Sequence, residues 1–372
     1  MIQGGSVLRK PDDAGLQVVR ASFEAMGVEE QWSTWEDRGF RWWPSTFQQR
    51  VWAEPVRRDQ GFQVCRIHAV IEFLDARTLS DAALAEIAVM NAKSALSAVV
   101  YDPDTGRVML HSSVTVHDES AESLGRLFAL AAGLQVGRVH ELLVSDVDAR
   151  LGCARVRAHP PGQSQRTEPD EMVGAVRRTA KSAAPGLRFS MGELREFIML
   201  GEESAAPVNA SGSILSAEFP CASGVSSVSR FLARASGTNS PETVGTALFR
   251  LSLRERHPVL GKGCFMILEA PTVLGDLSPL SRAGLQAYAQ LANLVNLAER
   301  DAFVRTPSLG AWCASPRGLA YVTFLPQVCA ARGVLGNFYT AGAMRAQWLG
   351  GWLKSRAKLL TAMMRAAGPR GE

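Results

Sequence analysis

The sequence predicts an α+β protein in which two small antiparallel sheets, each with helices packed on it, follow one another along the chain. Three observations favour this class: a length of 372 residues that suits two domains, an element order that recurs, and tight turns at matching places. Residues 81–132 and 281–344 both run helix, strand, turn, strand, helix. The turn Pro103–Gly106 has its counterpart at Pro316–Gly318. The predicted order of the first half is α-β-β-β-α-β-β-α.

Hydrophobic spacing and turn chemistry place the elements of the first half. They are a helix over 11–30, strands within 39–56 and 61–74 joined by a turn at 57–61, a helix that begins after Ser80, a hairpin of 96–101 with 107–116, and a helix over 120–134. Ser80 suits a helix N-cap, and Gly106 suits the left-handed position of a turn. On the 61–74 strand, the face expected in the core carries Cys65, Ile67, Ala69 and Ile71. The opposite face carries Phe62, Val64, Arg66, His68 and Val70.

The second half is predicted to repeat this architecture less regularly. The first domain spans 1–157, a polar Pro- and Gly-containing linker spans 158–186 with a short helix near 172–180, and the second domain spans 187–372. The second domain is predicted as a helix over 187–200, a loop over 201–213, strands at 214–221, 246–254 and 264–269, a helix over 281–300, a hairpin, and one long helix over 340–364.

Composition excludes several classes of protein. A net charge of +4, from 40 basic and 36 acidic residues, is too small to imply nucleic-acid binding by itself. The longest apolar runs fall well short of the roughly 20 residues of a membrane span, and the first residues lack the apolar stretch of a signal peptide. We therefore expect a cytoplasmic protein. The six cysteines form no C-x-x-C pair and are expected to be buried, inert thiols.

No catalytic or ligand-binding motif stands out. Asp102-x-Asp104-x-Gly106 resembles the start of a calcium loop, but Ser113 occupies the position of the bidentate Glu, so a hairpin turn is favoured. Gly261-Lys262-Gly263 lacks the rest of a phosphate loop and is interpreted as a turn before the next strand. His111 and His117 would lie about 20 Å apart on one strand, too far to share a metal. We expect no enzyme activity, no cofactor and no metal.

The first half resembles the YbjN-like family, which shares the fold of type III secretion chaperones. The resemblance rests on Trp42-Trp43, the 62–73 strand, Asn91 after an apolar helix, the 102–106 turn and the 124–134 helix. It covers roughly residues 15–135, and the second half matches by element order alone, so two tandem copies are expected. What the resemblance implies is a bacterial adaptor or chaperone that holds a protein partner without chemistry.

A cluster of tryptophan and arginine is the first candidate binding surface. Trp32, Trp35, Trp42, Trp43 and Trp52 fall within 21 residues, with Arg38, Arg41 and Arg50 between them. They either form a surface for a peptide or single-stranded nucleic acid, or, as we favour, build the first sheet and its packing. Because Trp42 and Trp43 are neighbours on a strand, they point to opposite faces. One can fill the core while the other makes an interdomain or partner contact. The predicted partner-binding residues here are Trp42, Trp43, Arg50 and Trp52.

The C-terminal helix is the second candidate, with Trp348 and Trp352 as its predicted partner-binding residues. Residues 332–372 carry seven basic side chains and one acidic side chain. A basic amphipathic helix can bind an anionic membrane surface or an acidic partner, although packing as the last helix of its own domain is favoured.

We therefore predict a non-catalytic adaptor or chaperone-like protein that binds another protein through a sheet edge or an apolar surface. A homodimer is compatible with this prediction. The alternative is an accessory protein for single-stranded nucleic acid that uses the Trp/Arg strands and the basic C-terminus. A third alternative is an enzyme whose site assembles from scattered residues at the domain interface.

Overall fold

The computed structural model describes most of the chain as helices and antiparallel strands. The described residues are 13–59, 62–166, 168–171, 173, 188–200, 208–222, 243–271, 274, 278–302 and 307–367. The helices are α1 (Ala14–Ala25), α2 (Asp81–Ala92), α3 (Ala121–Val144), α4 (Val147–Leu151), α5 (Met191–Leu200), α6 (Arg282–Asp301), α7 (Val334–Ser355) and α8 (Ala357–Ala367). The strands of the first half are β1 (Ser33–Glu36), β2 (Gly39–Trp42), β3 (Gln49–Ala53), β4 (Arg57–Asp59), β5 (Phe62–Asp75), β6 (Ala98–Asp102), β7 (Arg107–Val116) and β8 (Ala154–Arg155). Those of the second half are β9 (Val208–Ser211), β10 (Ile214–Ala222), β11 (Thr243–His257), β12 (Gly261–Pro271), β13 (Ala311–Ser315) and β14 (Gly318–Pro326).

The strands form two sheets with the same topology. The first has the order β1-β2-β3-β5-β7-β6, with β4 and β8 also pairing with β5, and the second has the order β9-β10-β11-β12-β14-β13. In both, a meander is followed by a helix and a hairpin whose first strand takes the outer position. The α+β fold with two sheet-and-helix units is therefore confirmed.

The duplication extends to single hydrogen bonds. In the first unit, the side chain of Asn91 accepts from the backbone N–H of Val99 at 2.8 Å and donates to its carbonyl at 2.9 Å. In the second unit, Asn296 does the same to Trp312, at 2.8 and 2.9 Å. Val99 and Trp312 are each the second residue of the hairpin's first strand. An asparagine near the end of the middle helix thus holds the outer strand of each sheet in place.

The two units meet through their middle helices. Helix α2 packs against α6, and each also contacts the outer strand of the other unit: α2 contacts β13, and α6 contacts β6. Asn293 of α6 accepts from the N–H of Tyr101 and donates to its carbonyl, both at 2.9 Å. Ser113 and Ser308 exchange two backbone hydrogen bonds. Ser113 lies on β7 beyond His111, which pairs with the first residue of β6. The buried apolar side chains form one cluster that includes residues of both units, so the core is continuous across this seam.

Most elements of the first half lie where the sequence places them, with shifted ends. Ser80 caps α2, accepting from the N–H of Ala83 at 3.2 Å. Helix α1 ends at Ala25, earlier than predicted, because Gly27 turns the chain with a φ of 61°. Residues 57–59 of the predicted turn at 57–61 are strand β4, which pairs with β5, and residues 60 and 61 lie outside the described residues. Helix α3 runs ten residues further, to Val144, because its apolar stripe continues into the core through Leu142.

The start of the predicted linker packs on the first unit. The N–H of Ala158 donates to the carbonyl of Thr46 at 3.0 Å, and that of Asp170 donates to the carbonyl of Pro44 at 2.7 Å. Arg166 forms ion pairs with Glu29 at 2.9 Å and with Asp170 at 3.3 Å. The short helix predicted near 172–180 lies outside the described residues, apart from 173.

The second half departs from prediction at three places. Part of the predicted 201–213 loop is strand β9, and residues 261–263 belong to β12 rather than to a turn. The single C-terminal helix is two helices, α7 and α8, which meet at Arg356. The chain bends there because α8 packs back against α6 and α7, burying Leu360 and Met363. One helix, α3, is long and apolar enough to cross a membrane by length and composition, and 67% of its apolar window is buried in the fold.

Candidate functional site

Two of the five tryptophans of the predicted surface, Trp42 and Trp43, lie inside the fold, whereas Trp35 is 48% exposed. Trp42 has no exposed surface, and its indole N–H donates to the side-chain oxygen of Gln49 at 2.6 Å. Trp43 is 3% exposed, and Arg166 of the segment after β8 donates to its carbonyl at 3.4 Å. The sequence predicts that one of these two tryptophans fills the core, and Trp42 does so. The other, Trp43, is covered by the segment predicted as a linker, which contacts it through Arg166.

Arg50 and Trp52 lie at the surface of β3. The guanidinium of Arg50 lies 4.8 Å from the centre of the Trp52 ring, and it also pairs with Glu36 at 2.9 Å. The Trp52 ring also stacks on His68, at 4.8 Å between ring centres and 11° between planes. Trp348 and Trp352 of α7 are half-buried against the core, with ring centres 6.4 Å apart. The six predicted partner-binding residues therefore do not form one surface.

A buried polar cluster lies at the seam, on the strand face that the sequence placed outside the core. Its members are Arg66 and His68 of β5 and His111 and Ser113 of β7, all less than 5% exposed. A ring nitrogen of His68 lies 3.3 Å from one of His111, so one donates to the other. The second nitrogen of His68 lies 2.9 Å from a carboxylate oxygen of Glu54. This makes a chain of three titratable groups from the rim of the sheet to the seam.

Arg66 connects this cluster to the second unit. Its guanidinium donates to the hydroxyl of Ser113 at 2.9 Å, to the carbonyl of Glu299 at 2.8 Å, and to the carbonyl of Ala302. Those two carbonyls lie at the C-terminal end of α6, where a helix has unpaired acceptors and a partial negative charge. Arg66 thus caps a helix of the other unit.

Burial sets the charge state of the cluster. Desolvation lowers the pKa of His111 well below its usual value, and Arg66 and His68 lower it further. Desolvation also lowers the pKa of His68, although Glu54 opposes the shift. The hydrogen bond from His68 is the main cause that lowers the pKa of Glu54. We infer two neutral imidazoles, one charged carboxylate at the rim and one charged guanidinium.

An ion pair is buried next to the cluster. Arg345 of α7 donates to the carboxylate of Glu299 at 2.6 Å, and both side chains are less than 5% exposed. The carboxylate also accepts from the hydroxyl of Ser308 at 2.8 Å and from the indole of Trp312 at 2.7 Å. The guanidinium stacks on Tyr321, 3.8 Å from its ring centre. Desolvation would raise the pKa of Glu299, but Arg345 outweighs it and the pKa is lowered.

The two units differ most at this cluster. Ala98, His111, Val70 and Arg50 lie in one row across the first sheet, and Ala311, Val322, Ile267 and Arg250 lie in the equivalent row of the second. Register then matches Arg66 to Gly263, His68 to Phe265, His111 to Val322 and Ser113 to Phe324. The four polar side chains of this cluster therefore have no polar counterparts at the equivalent positions of the second unit.

One face of the second sheet is open along β10, β11 and β12 in the described part of the chain. Ile214, Leu248, Phe265 and Ile267 lie half-buried along it, on β10, β11 and β12. They line a shallow groove of about 1000 Å³. Charged side chains surround them: Glu218 and Arg250 are exposed, and Arg317 pairs with Glu269 at 3.2 Å. We call this surface the open face.

Elsewhere, the sequence motifs have structural roles. Asp102 closes its hairpin turn by accepting from the N–H of Asp104 at 3.0 Å, and it pairs with Arg300 of the second unit at 3.0 Å. Burial raises the pKa of Cys65 and Cys221 to about 11 and of Cys313 and Cys329 to about 12, so these thiols stay protonated. Within the described ranges, no three His, Cys, Asp or Glu side chains are placed to hold a metal ion.

Comparison with known proteins leaves the family open. No protein-family model, curated protein or solved structure matches this chain. The resemblance to the YbjN-like family stays a prediction.

Proposed function

We propose that this protein is a non-catalytic adaptor or chaperone-like protein that binds a segment of another polypeptide on the open face. The observation that carries the proposal is the unequal covering of the two sheets. The seam covers β5, β6 and β7 of the first sheet, whereas Leu248, Phe265 and Ile267 of the second remain half-exposed beside charged side chains.

The chemistry of the open face suits an unfolded or extended segment. Apolar side chains on the second, third and fourth strands of the sheet supply affinity, because a bound segment would remove them from water. Glu218, Arg250, Glu255 and Arg317 around them supply polar contacts and orientation. A partner segment that alternates apolar and charged residues fits this pattern. Such a function needs no reacting group.

The experiment is selection from a random-peptide phage library, followed by binding measurements on synthetic versions of the enriched peptides. Leu248→Asp adds a charge to the middle of the open face and is expected to weaken binding by at least about tenfold, since it replaces an apolar contact with a desolvated carboxylate. Arg50→Glu, at the equivalent row of the first sheet, is the matched control and should leave binding unchanged. Enriched peptides whose affinity is insensitive to Leu248→Asp would contradict the proposal.

The nucleic-acid alternative has less support. Base stacking needs exposed rings beside basic side chains, and two of the predicted rings, Trp42 and Trp43, are buried. A third, Trp52, already stacks on His68 and Arg50. Binding of a single-stranded oligonucleotide that weakens steeply with rising salt would restore this alternative.

A further inference from the structure

A second groove lies between the units. It has a volume of about 1040 Å³ and lies between α1 and α3 of the first unit and the connection after β14 of the second. Its floor is apolar, formed by Leu127, Ala129, Leu130, Val328 and Ala330. Its rim carries Glu24, Glu29, Glu119, Glu122, Asp170 and Glu171. We call it the acidic groove.

The rim already binds one guanidinium from its own chain. Arg166 pairs with Glu29 and Asp170, and its guanidinium lies 5.2 Å from the centre of the Trp32 ring. Arg126 pairs with Glu122 at 2.7 Å, and Arg332 is exposed nearby. In the described part of the chain, six carboxylates line the groove, and Arg126 and Arg166 pair with three of them. The groove keeps negative charge above an apolar floor, which is the complement of a basic amphipathic helix.

The chain carries a basic surface with an exposed apolar side chain at another place. Lys354, Arg356 and Lys358 are exposed around the junction of α7 and α8, and Leu359 beside them is 40% exposed. The same helices bury Leu353, Leu360 and Met363 in their own unit, so the exposed side chains form a separate outer ridge. We call it the basic ridge. It combines positive charge with an apolar side chain.

The two surfaces lie too far apart to meet within one molecule. Val328 and Ala330 of the groove come just before α7, and the ridge begins at its other end. Helix α7 has 22 residues, which corresponds to a length of about 33 Å. A ridge can therefore reach only the groove of another molecule.

We propose that the basic ridge of one copy docks in the acidic groove of a second copy. The contact joins two different surfaces, so each bound copy leaves one groove and one ridge vacant. Repetition of the contact gives chains or a closed ring whose size grows with concentration. Exposed charges carry much of it, so added salt weakens it. This self-association uses neither the open face nor the peptide binding proposed above.

The experiment is sedimentation velocity on the full chain and on two charge-reversed variants. Glu119→Lys with Glu122→Lys reverses the rim, and Arg356→Glu with Lys358→Glu reverses the ridge; all four side chains are exposed. The wild type is expected to increase in mean mass with concentration at about 50 mM salt and much less at about 500 mM. Each variant alone is expected to associate at least about tenfold more weakly, since attraction becomes repulsion.

Mixing the two variants gives the decisive result. The ridge variant keeps an intact groove and the groove variant keeps an intact ridge, so the native contact can form between the two variants. The reversed ridge and the reversed groove are also opposite in charge, so association is expected to recover in the mixture. Glu218→Lys, on the open face, is the matched control and should associate like the wild type. Circular dichroism checks that each variant is folded. A mixture that stays monomeric, or a wild type that is monomeric at every concentration, overturns the proposal and leaves the groove to a basic segment of another protein.

Discussion

Arg66 offers the sharpest test of the seam, because one side chain connects the two units. Arg66→Ala removes donors from the hydroxyl of Ser113 and from two carbonyls at the C-terminal end of α6. A buried acceptor that loses its partner costs about 1–3 kcal/mol, so the two carbonyls alone account for about 2–6 kcal/mol. The cavity left by the side chain adds to this cost. We expect the free energy of unfolding to fall by at least about 3 kcal/mol.

The assay is equilibrium unfolding in urea at neutral pH, followed by circular dichroism and by tryptophan fluorescence. Arg66→Met keeps most of the volume and should recover the cavity part, so it should cost less than Arg66→Ala. Arg50→Ala, on the exposed part of the same sheet face, should change the free energy by no more than about 0.5 kcal/mol. A loss below about 1 kcal/mol for Arg66→Ala would refute the argument, because it would mean that water or a rearranged chain satisfies those carbonyls.

The remaining predictions concern titration and the buried ion pair. The folded-state pKa values of His68 and His111 are lowered, so the unfolded chain binds more protons as pH falls below about 6.5. Stability should therefore decrease between about pH 6.5 and 5, and His111→Gln should flatten this part of a stability-versus-pH curve; a curve unchanged by the substitution would contradict the assignment. Glu299→Gln leaves the buried Arg345 without its counter-charge and should cost about 3–5 kcal/mol in urea unfolding. The double change Glu299→Leu with Arg345→Met should recover much of that loss, and a double variant no more stable than Glu299→Gln would contradict this.

Local signals in the sequence were enough for the individual elements. Ser80 precedes an apolar helix and caps it, Gly106 takes a positive φ in its hairpin turn, and Asn91 lies on the inner side of α2. The buried face of β5, from Cys65 to Ile71, also follows from simple alternation. These features depend on residues within a few positions of each other, which is why a single sequence predicts them.

What the sequence could not supply is the covering of one element by a distant one. Arg66 and His68 were placed on the outer face of a sheet, yet the end of α6, 233 residues further along, buries Arg66. The break at Arg356 likewise depends on the surface that α6 offers to α8. Alternating polar residues on a strand, such as Arg66 and His68, are compatible with a solvent-exposed sheet face and with a buried polar interface. Only the position of the partner distinguishes the two, and that position is set by tertiary packing.

The one-sided seam has a consequence for how such a pair of units can diversify. If two identical subunits formed this joint around a twofold axis, every substitution would occur on both sides of it. An arginine would then be present twice in the joint, once in each subunit. Joined in one polypeptide, the units are free to differ. One side supplies the guanidinium of Arg66 and the other supplies helix carbonyls, while the matching position, Gly263, has no side chain at all. A joint between two units of one polypeptide can therefore be asymmetric, and each sheet can change independently of the other.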